Sequence, residues 1–176
     1  MSRTRPEQLA SELLVELGIE QVPVPVARIA AAKGASVTYD TFDGEVSGLL
    51  YRDEERKVIG VNSQHPLVRQ RFTIAHEIGH LLMHEGRPVF IDRLVRVNAR
   101  DGSVTSEEVE ANAFAAALLM PRTLVEPAVA EAVARRGGHV GREDLFAELA
   151  ERFEVSAVAM GYRLTNLGIV DPDAGF

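Results

Sequence analysis

Residues 72–86 read FTIAHEIGHLLMHEG and contain metal-binding residue types at a spacing that suits a single ion. On an α-helix, residues four apart lie on one face about 6 Å from each other, so His76 and His80 can offer two imidazole nitrogens to one metal. Glu77 is rotated by about 100° from His76, which lets it reach a water beside the metal without binding the metal itself. This H-E-x-x-H pattern is typical of zinc peptidases.

The competing interpretation is a solvated helix with two incidental histidines. The surrounding residues argue against it, because Ile74, Ile78 and Leu82 give the helix apolar faces beside the histidines. Gly79 in the middle of a helix costs about 1 kcal/mol relative to alanine, so its presence predicts close approach by a neighbouring element. We therefore predict a buried helix that holds a metal.

A catalytic zinc usually takes three protein ligands and keeps one position for water. His84 continues the spacing, but on a straight helix it lies about 12 Å from His76 and cannot bind the same ion. It is predicted to be a residue of the helix C-terminus, with support of a metal ligand as the alternative.

The third ligand is more readily supplied by residues 105–121, TSEEVEANAFAAALLMP, which begin with three glutamates. Glu108, Glu107 and Glu110 are all candidates, and helical periodicity does not choose among them. A capping box between Thr105 and Glu108 would turn Glu108 back onto the helix end, whereas a helix start at Ser103 would free it.

Composition limits the remaining possibilities. The 176 residues include no cysteine, so disulfides, iron–sulfur clusters and thiolate metal sites are excluded. The net charge of −7 does not favour direct binding to nucleic acid. Glu7, Glu12 and Glu16 break any apolar signal-peptide core near the N-terminus, and the longest apolar run is far below the ~20 residues of a membrane span. A soluble, cytoplasmic protein is therefore expected.

Helical spacing and turn signals predict helices and a small sheet around the metal motif. Helices are expected between Pro6 and Gly18, from Pro25 to Lys33, and between Pro66 and Gly86. Further helices are expected over about 105–119 and over roughly 123–136, 142–153 and 156–166. Strands are predicted for three short runs, ASVTYD, EVSGLLYR and KVIGVN, and Asp43-Gly44 is a hairpin signal. Residues 86–104 are expected to form a loop.

The order of these elements predicts an α+β fold. A small, antiparallel-containing sheet of about three strands would pack on the metal-binding helix, followed by a helical C-terminal part. We predict one metallopeptidase domain over 1–176, with N-terminal helices in 1–34, the sheet in 35–62, the metal-site helices in 66–121, and a helical tail with helix-turn-helix-like packing in 122–167.

Two segments in this order resemble the ImmA/IrrE metallopeptidase family. They are RQRFTIAHEIGHLLMH at 69–84 and EVEANAFAAALLMP at 108–121, and the VIGVNSQ strand leading into the first is similar too. The resemblance covers much of residues 45–121 and is more specific than the zinc pattern alone.

The resemblance implies a set of site residues. In that family the third ligand is a glutamate four residues before Asn or Asp, which here corresponds to Glu108 and Asn112. It follows that His76, His80 and Glu108 would bind the metal, with Glu77 as general base and Asn112 holding a ligand in place. Two histidines and a carboxylate suit Zn²⁺, and Mn²⁺ is acceptable to the same ligands.

The implied reaction is metal-assisted peptide hydrolysis by a gluzincin-like enzyme. The metal would polarise the scissile carbonyl and acidify a water, whose proton Glu77 would pass to the leaving amine. Tyr51, His65 and Arg69 are candidates to stabilise the oxyanion. We also expect KVIGVN to bind an extended substrate segment by strand addition, provided that it forms a sheet edge.

The resemblance further implies a protein substrate, namely a transcriptional repressor of the helix-turn-helix type whose cleavage would relieve repression. One alternative is a metal-bearing module that sequesters a repressor without cutting it, although the presence of Glu77 favours an enzyme. Another is a DNA-binding regulator acting through residues 145–166, which look like a helix-turn-helix. That segment offers only Arg163 as a base on its second helix, so packing is the favoured interpretation.

Overall fold

The computed structural model describes residues 4–43, 46–84, 88–93, 105–138 and 140–171. Seven helices and four strands lie in these ranges. In chain order they are α1 (Arg5–Glu16), α2 (Val26–Ala32), β1 (Ala35–Asp40), β2 (Val46–Arg52), β3 (Lys57–Asn62), α3 (Leu67–Met83), β4 (Val89–Arg93), α4 (Ser106–Leu119), α5 (Arg122–Arg135), α6 (Arg142–Phe153) and α7 (Ala157–Asn166). The α+β fold class is confirmed.

The sheet is mixed, and its strand order is β1-β3-β2-β4. β1 pairs with β3 in parallel, whereas β2 pairs antiparallel with both β3 and β4. The turn between β2 and β3 is a hairpin in which Asp53 Oδ1 accepts the backbone N–H groups of Glu55 and Arg56.

Three expectations about the sheet are wrong. The sheet has a fourth strand, β4, within residues that were expected to form a loop. The Asp43-Gly44 signal does not mark a hairpin, because β1 is hydrogen-bonded to β3 and not to β2; Gly44 itself lies outside the described residues. β3 is an internal strand with partners on both sides, so it offers no free edge to a substrate.

The metal-motif helix α3 packs between the sheet and α4. Gly48 on β2 makes the first contact possible, since a Cβ at that position would overlap Cγ2 of Thr73 on α3. Gly79 makes the second possible, since a Cβ there would lie 3.1 Å from Cδ1 of Phe114 and 3.2 Å from Cα of Ala111 on α4. The close approach predicted for Gly79 is thus confirmed.

The core is continuous from α1 to α7. Its fully buried large side chains include Ile74 and Ile78 on α3 and Phe114 and Leu118 on α4. Their burial explains why α3 carries apolar residues on more than one face, as expected for a helix covered on both sides.

Across the described ranges, no single helix combines the length and the apolar character that crossing a membrane requires. Among the described residues, the consecutive helices α4 and α5 pass such a test only as a pair, and that pair is bent by 52°.

The last two helices form a tight packed pair. Glu154, at the end of α6, has the left-handed values φ 52° and ψ 51°, and α7 then begins with Ser156 as its N-cap. Arg163 on α7 is buried, donates to the backbone oxygen of Met120 and pairs with Glu7 at 2.7 Å. The one basic side chain that the DNA-binding interpretation required is therefore committed to the interior.

Candidate metal centre

Two histidine side chains of α3 converge with one glutamate of α4. The Nε2 atoms of His76 and His80 are 3.0 Å apart. The Glu108 carboxylate lies 3.3 Å from each of them, with Oε2 near His76 and Oε1 near His80. Among the described residues these three side chains form the one group of His, Asp and Glu whose ligand atoms all lie within 4.8 Å of one another.

These separations fit a metal ion. Ligand atoms placed about 2.0–2.1 Å from zinc in a tetrahedral arrangement are about 3.3 Å from each other. His76 Nδ1 lies 3.0 Å from the side-chain carbonyl oxygen of Asn112, which can only accept, so this nitrogen carries a proton. In neutral His76 the lone pair is then on Nε2 and faces Glu108, an arrangement that is favourable only around a cation or a proton.

The start of α4 differs from both alternatives considered from the sequence, because Thr105 caps the helix while the Glu108 side chain points to the histidines. Thr105 is the N-cap of α4, and its hydroxyl oxygen accepts the backbone N–H of Glu108 at 3.3 Å. The Glu108 carboxylate nevertheless turns to the histidines and not back to the helix end. The expectation that a Thr105 cap would draw this side chain away from the metal motif is therefore wrong.

The electrostatics of the group follow from burial and hydrogen bonding. When their Nε2 atoms carry protons, His76 and His80 donate hydrogen bonds to Glu108 and hold the pKa of its carboxyl well below the usual range, against the opposing effect of partial burial. Burial lowers the pKa of His80, and the hydrogen bond that its protonated form makes with Glu108 only partly offsets that effect. At neutral pH the group therefore has an ionised carboxylate and an uncharged His80, the forms in which metal ligands bind.

Glu77 follows His76 on α3 and is fully buried. Its side chain lies next to β2, since a Cβ on Gly48 would be in ordinary van der Waals contact with Oε1 of Glu77, at 3.6 Å. Sequence reasoning places Glu77 beside the metal ligands, and the structure gives that residue a place between the helix and the sheet.

The other glutamates and the third histidine form a separate contact. His84, the C-cap of α3, places Nδ1 2.9 Å from His80 Nδ1 and Nε2 3.1 Å from Glu110 Oε2. Glu110 thus faces His84, away from the point where Glu108 meets the two Nε2 atoms. The spacing of His84 four residues after His80 was the sequence signal for this contact.

No sequence pattern singled out Phe90, which lies on β4. Its ring stacks on His80, with centroids 4.5 Å apart and an interplanar angle of 25°. The guanidinium group of Arg52 also lies over the Phe90 ring, 5.5 Å from its centroid, and donates to the backbone oxygen of His84. β4 and β2 therefore pack on the end of α3 that carries His80.

The three candidates for oxyanion stabilisation have different surroundings. Tyr51 donates its hydroxyl hydrogen to Asp53 at 2.6 Å, and Arg69 donates to Ser47 Oγ at 2.7 Å. Burial and the nearby Arg69 charge lower the pKa of His65. Tyr51 and Arg69 are thus each hydrogen-bonded to a neighbouring side chain.

Comparison with known proteins places these features in a family. The family model described as the IrrE N-terminal-like domain matches residues 30–165. The radiation response metalloprotease IrrE of Deinococcus radiodurans is 42% identical over 116 residues, which are 65% of this chain and 32% of the relative. Its counterpart in Deinococcus deserti is 39% identical over 116 residues, covering 65% and 38%. The chain thus matches about a third of the length of these curated relatives.

A phage protein and a solved structure extend the comparison. The uncharacterized immunity region protein 2 of Bacillus phage phi105 is 34% identical over 83 residues, 46% of this chain and 49% of that protein. A Mycobacterium tuberculosis transcriptional regulator has a similar fold, with a TM-score of 0.61 and 18% identity, over 97% of this chain and 49% of that one.

Proposed function

Since this chain belongs to the metalloprotease family described as the IrrE N-terminal-like domain, we propose that it is a metal-dependent endopeptidase. The observation that carries the proposal is the convergence of His76, His80 and Glu108 next to Glu77 on a buried helix. A helix that merely carried histidines would not need an ionised carboxylate from a second helix 3.3 Å from both imidazoles.

In this proposal His76, His80 and Glu108 hold the ion, and Zn²⁺ or Mn²⁺ suits their nitrogen and oxygen atoms. When bound, the ion would polarise the scissile carbonyl and lower the pKa of water toward ~7. The side-chain oxygen of Asn112 accepts a hydrogen bond from His76 Nδ1, which orients the ring so that Nε2 faces Glu108.

Glu77 is the proposed general base. Its carboxylate takes a proton from the attacking water and delivers it to the nitrogen of the leaving amine. Glu77 directly follows His76 on α3, so it lies beside the proposed ligands without being one of them, which supports this role.

The edge of the sheet near His80 is the proposed place for the substrate. Within the described residues β4 pairs only with β2, so its other edge is available, and Phe90 of β4 stacks on His80. Val89 and Ile91 are 45% and 55% exposed. An extended peptide that adds to β4 would run past the metal ligands. β4 would thus take the strand-addition role that was expected of β3.

The proposed substrate is a transcriptional repressor of the helix-turn-helix type, whose cleavage would relieve repression. This choice depends on the family resemblance, and similarity to the radiation response metalloproteases of two Deinococcus species agrees with a protein substrate.

The decisive experiment is the intact mass of a repressor encoded beside this gene, after incubation with the wild type or Glu77→Gln and with Zn²⁺ or Mn²⁺ supplied. A single cut made only by the wild type is the expected result. A stable complex formed equally by both, with no cut, would indicate a metal-bearing module that sequesters the repressor.

Strand addition has its own test. Proline placed in turn at each position of the cleaved segment removes one backbone donor and should block cutting at positions that pair with β4. Cutting that is indifferent to proline at every position would contradict the role of β4.

A further inference from the structure

A line of hydrogen-bonding groups leads away from His80 on the side opposite to Glu108. His80 Nδ1 faces His84 Nδ1 at 2.9 Å, and His84 Nε2 faces Glu110 Oε2 at 3.1 Å. The line begins at an almost fully buried imidazole and ends at a carboxylate that is 41% exposed. It links helix α3 to helix α4 a second time, one turn beyond the group formed by Glu108.

Only one arrangement of protons satisfies this line when all the imidazoles are neutral. Glu110 is a carboxylate and accepts, so His84 Nε2 must donate. A neutral His84 then has its lone pair on Nδ1, which accepts, and so His80 Nδ1 must be the donor. The remaining lone pair of His80 is on Nε2, the atom that lies 3.3 Å from Glu108.

The surrounding residues hold the His84 side chain in position for this contact. Its backbone oxygen accepts from Arg52, and its side chain is only 6% exposed. Phe90 covers the face of the His80 ring, which leaves the ring edges as the sites of hydrogen bonding. The line therefore consists of direct side-chain contacts and does not depend on a solvent molecule.

We propose that His84 and Glu110 are positioning residues, which hold His80 in the tautomer with its proton on Nδ1 and its Nε2 lone pair free for the metal. The inference rests on the proposed function, because it concerns how the chain prepares one ligand. His84 and Glu110 act through His80 and do not themselves touch the metal. Such supporting hydrogen bonds typically change metal affinity by about 10- to 100-fold.

The first test is the Zn²⁺ dissociation constant, measured by competition with a chromophoric chelator. Glu110→Ala and His84→Gln should each weaken binding by about 10-fold or more. Glu110→Gln, which retains a carbonyl oxygen to accept from His84, should stay closer to the wild type. Glu126→Ala, which removes a half-exposed carboxylate of α5 that pairs with Arg122, is the control for the loss of one negative charge.

The second readout is the tautomer of His80, from ¹⁵N–¹H long-range correlation spectra of the metal-free proteins. The wild type should show His80 protonated at Nδ1, and Glu110→Ala should shift the population toward the other tautomer. A merely structural role of Glu110 would leave this signature unchanged. The double variant Glu110→Ala/His84→Gln should lose no more affinity than the larger single loss, since both residues act through one line.

The outcomes separate this inference from the proposed function. Zn²⁺ binding by the wild type with equal affinity in Glu110→Ala, or loss equal to that of Glu126→Ala, would overturn the positioning role while leaving the metal site intact. Failure of the wild type itself to bind Zn²⁺ would overturn the proposed function and this inference with it.

Discussion

Glu108 has two interactions that meet on one residue, and their combination defines the site. Its backbone N–H is held by the Thr105 hydroxyl, which fixes the first turn of α4, and its carboxylate reaches the two Nε2 atoms of α3. The cap therefore positions the residue whose side chain is proposed to bind the metal. A cap and a ligand are compatible because the first uses the backbone and the second the side chain.

At the residue scale, His80 predicts how the metal-free protein responds to acid. Its pKa is lowered by burial, so below about pH 6.5 the unfolded chain binds a proton that the folded protein resists, and stability falls as pH falls. We expect the thermal midpoint of the metal-free wild type to decrease between about pH 7.5 and 5.5. In His80→Gln, the decrease in thermal midpoint over the same pH range should be smaller than in the wild type.

Two other groups set the limits of that experiment. The pKa of His65 is lowered as well, so His65→Gln measures its share in the same window. The lowered pKa of Glu108 stabilises the fold above about pH 4.3, and this contribution is lost only at lower pH. An equal decrease in the wild type and in both histidine variants would show that other groups cause the acid response.

At the scale of elements, the sequence predicted the helices, which depend on local patterns, and missed features of the sheet that depend on pairing between distant segments. α1, α3, α4 and the three C-terminal helices were expected close to their observed bounds, because their caps and apolar spacing are local. β1 pairs with β3, beyond β2 in the chain, and packs against α2; no turn signal reports such a distant pairing. β4 was missed because five residues with two apolar exposed side chains resemble a loop until β2 lies beside them.

The site shows the same division. His76, Glu77 and His80 are recognisable because one helix fixes their spacing. The contact of Glu108 with them depends on how α4 crosses α3, so spacing alone left Glu107 and Glu110 open. The stacking of Phe90 on His80 depends on the unpredicted strand β4 and had no signal in the sequence.

The crossing of α3 and α4 predicts the effect of Gly79→Ala. Alanine would gain up to about 1 kcal/mol in helix propensity. Its Cβ would however lie 3.2 Å from the Cα of Ala111, a backbone atom that cannot move aside alone, and overpacking of this kind costs about 1–3 kcal/mol. We expect a lower free energy of unfolding in urea, together with weaker Zn²⁺ binding because α4 carries Glu108.

Gly79→Ser provides the comparison, since its additional oxygen should lower stability further than alanine does. Stability that is unchanged or higher in Gly79→Ala would mean that α4 moves away at little cost and that propensity decides the outcome.

At the scale of the whole molecule, a partly buried ion pair connects α1 with α7. Arg163 on α7 binds Glu7 on α1 and the backbone of Met120 after α4. Because the Glu7 side chain is 26% exposed, Arg163→Met should cost about 1–3 kcal/mol, less than the loss of a fully buried pair. Urea denaturation of Arg163→Met and of Arg163→Met/Glu7→Leu would measure it, and the double variant should recover part of the loss.

A loss below about 1 kcal/mol would place this pair among ordinary surface salt bridges. Duplex DNA binding measured at low salt adds an independent comparison, because a buried Arg163 predicts that wild type and Arg163→Met behave alike.

Metal binding should couple the two central helices, because two proposed ligands lie on α3 and one on α4. A ligand that binds only the folded chain stabilises it by about 2.7 kcal/mol at 100 times its dissociation constant. We therefore expect Zn²⁺ to raise the thermal midpoint, a chelator to reverse this, and amide exchange to slow in the first turns of α4, where Glu108 lies. His76→Gln should abolish the increase. An increase of equal size in His76→Gln would mean that Zn²⁺ acts elsewhere on the chain.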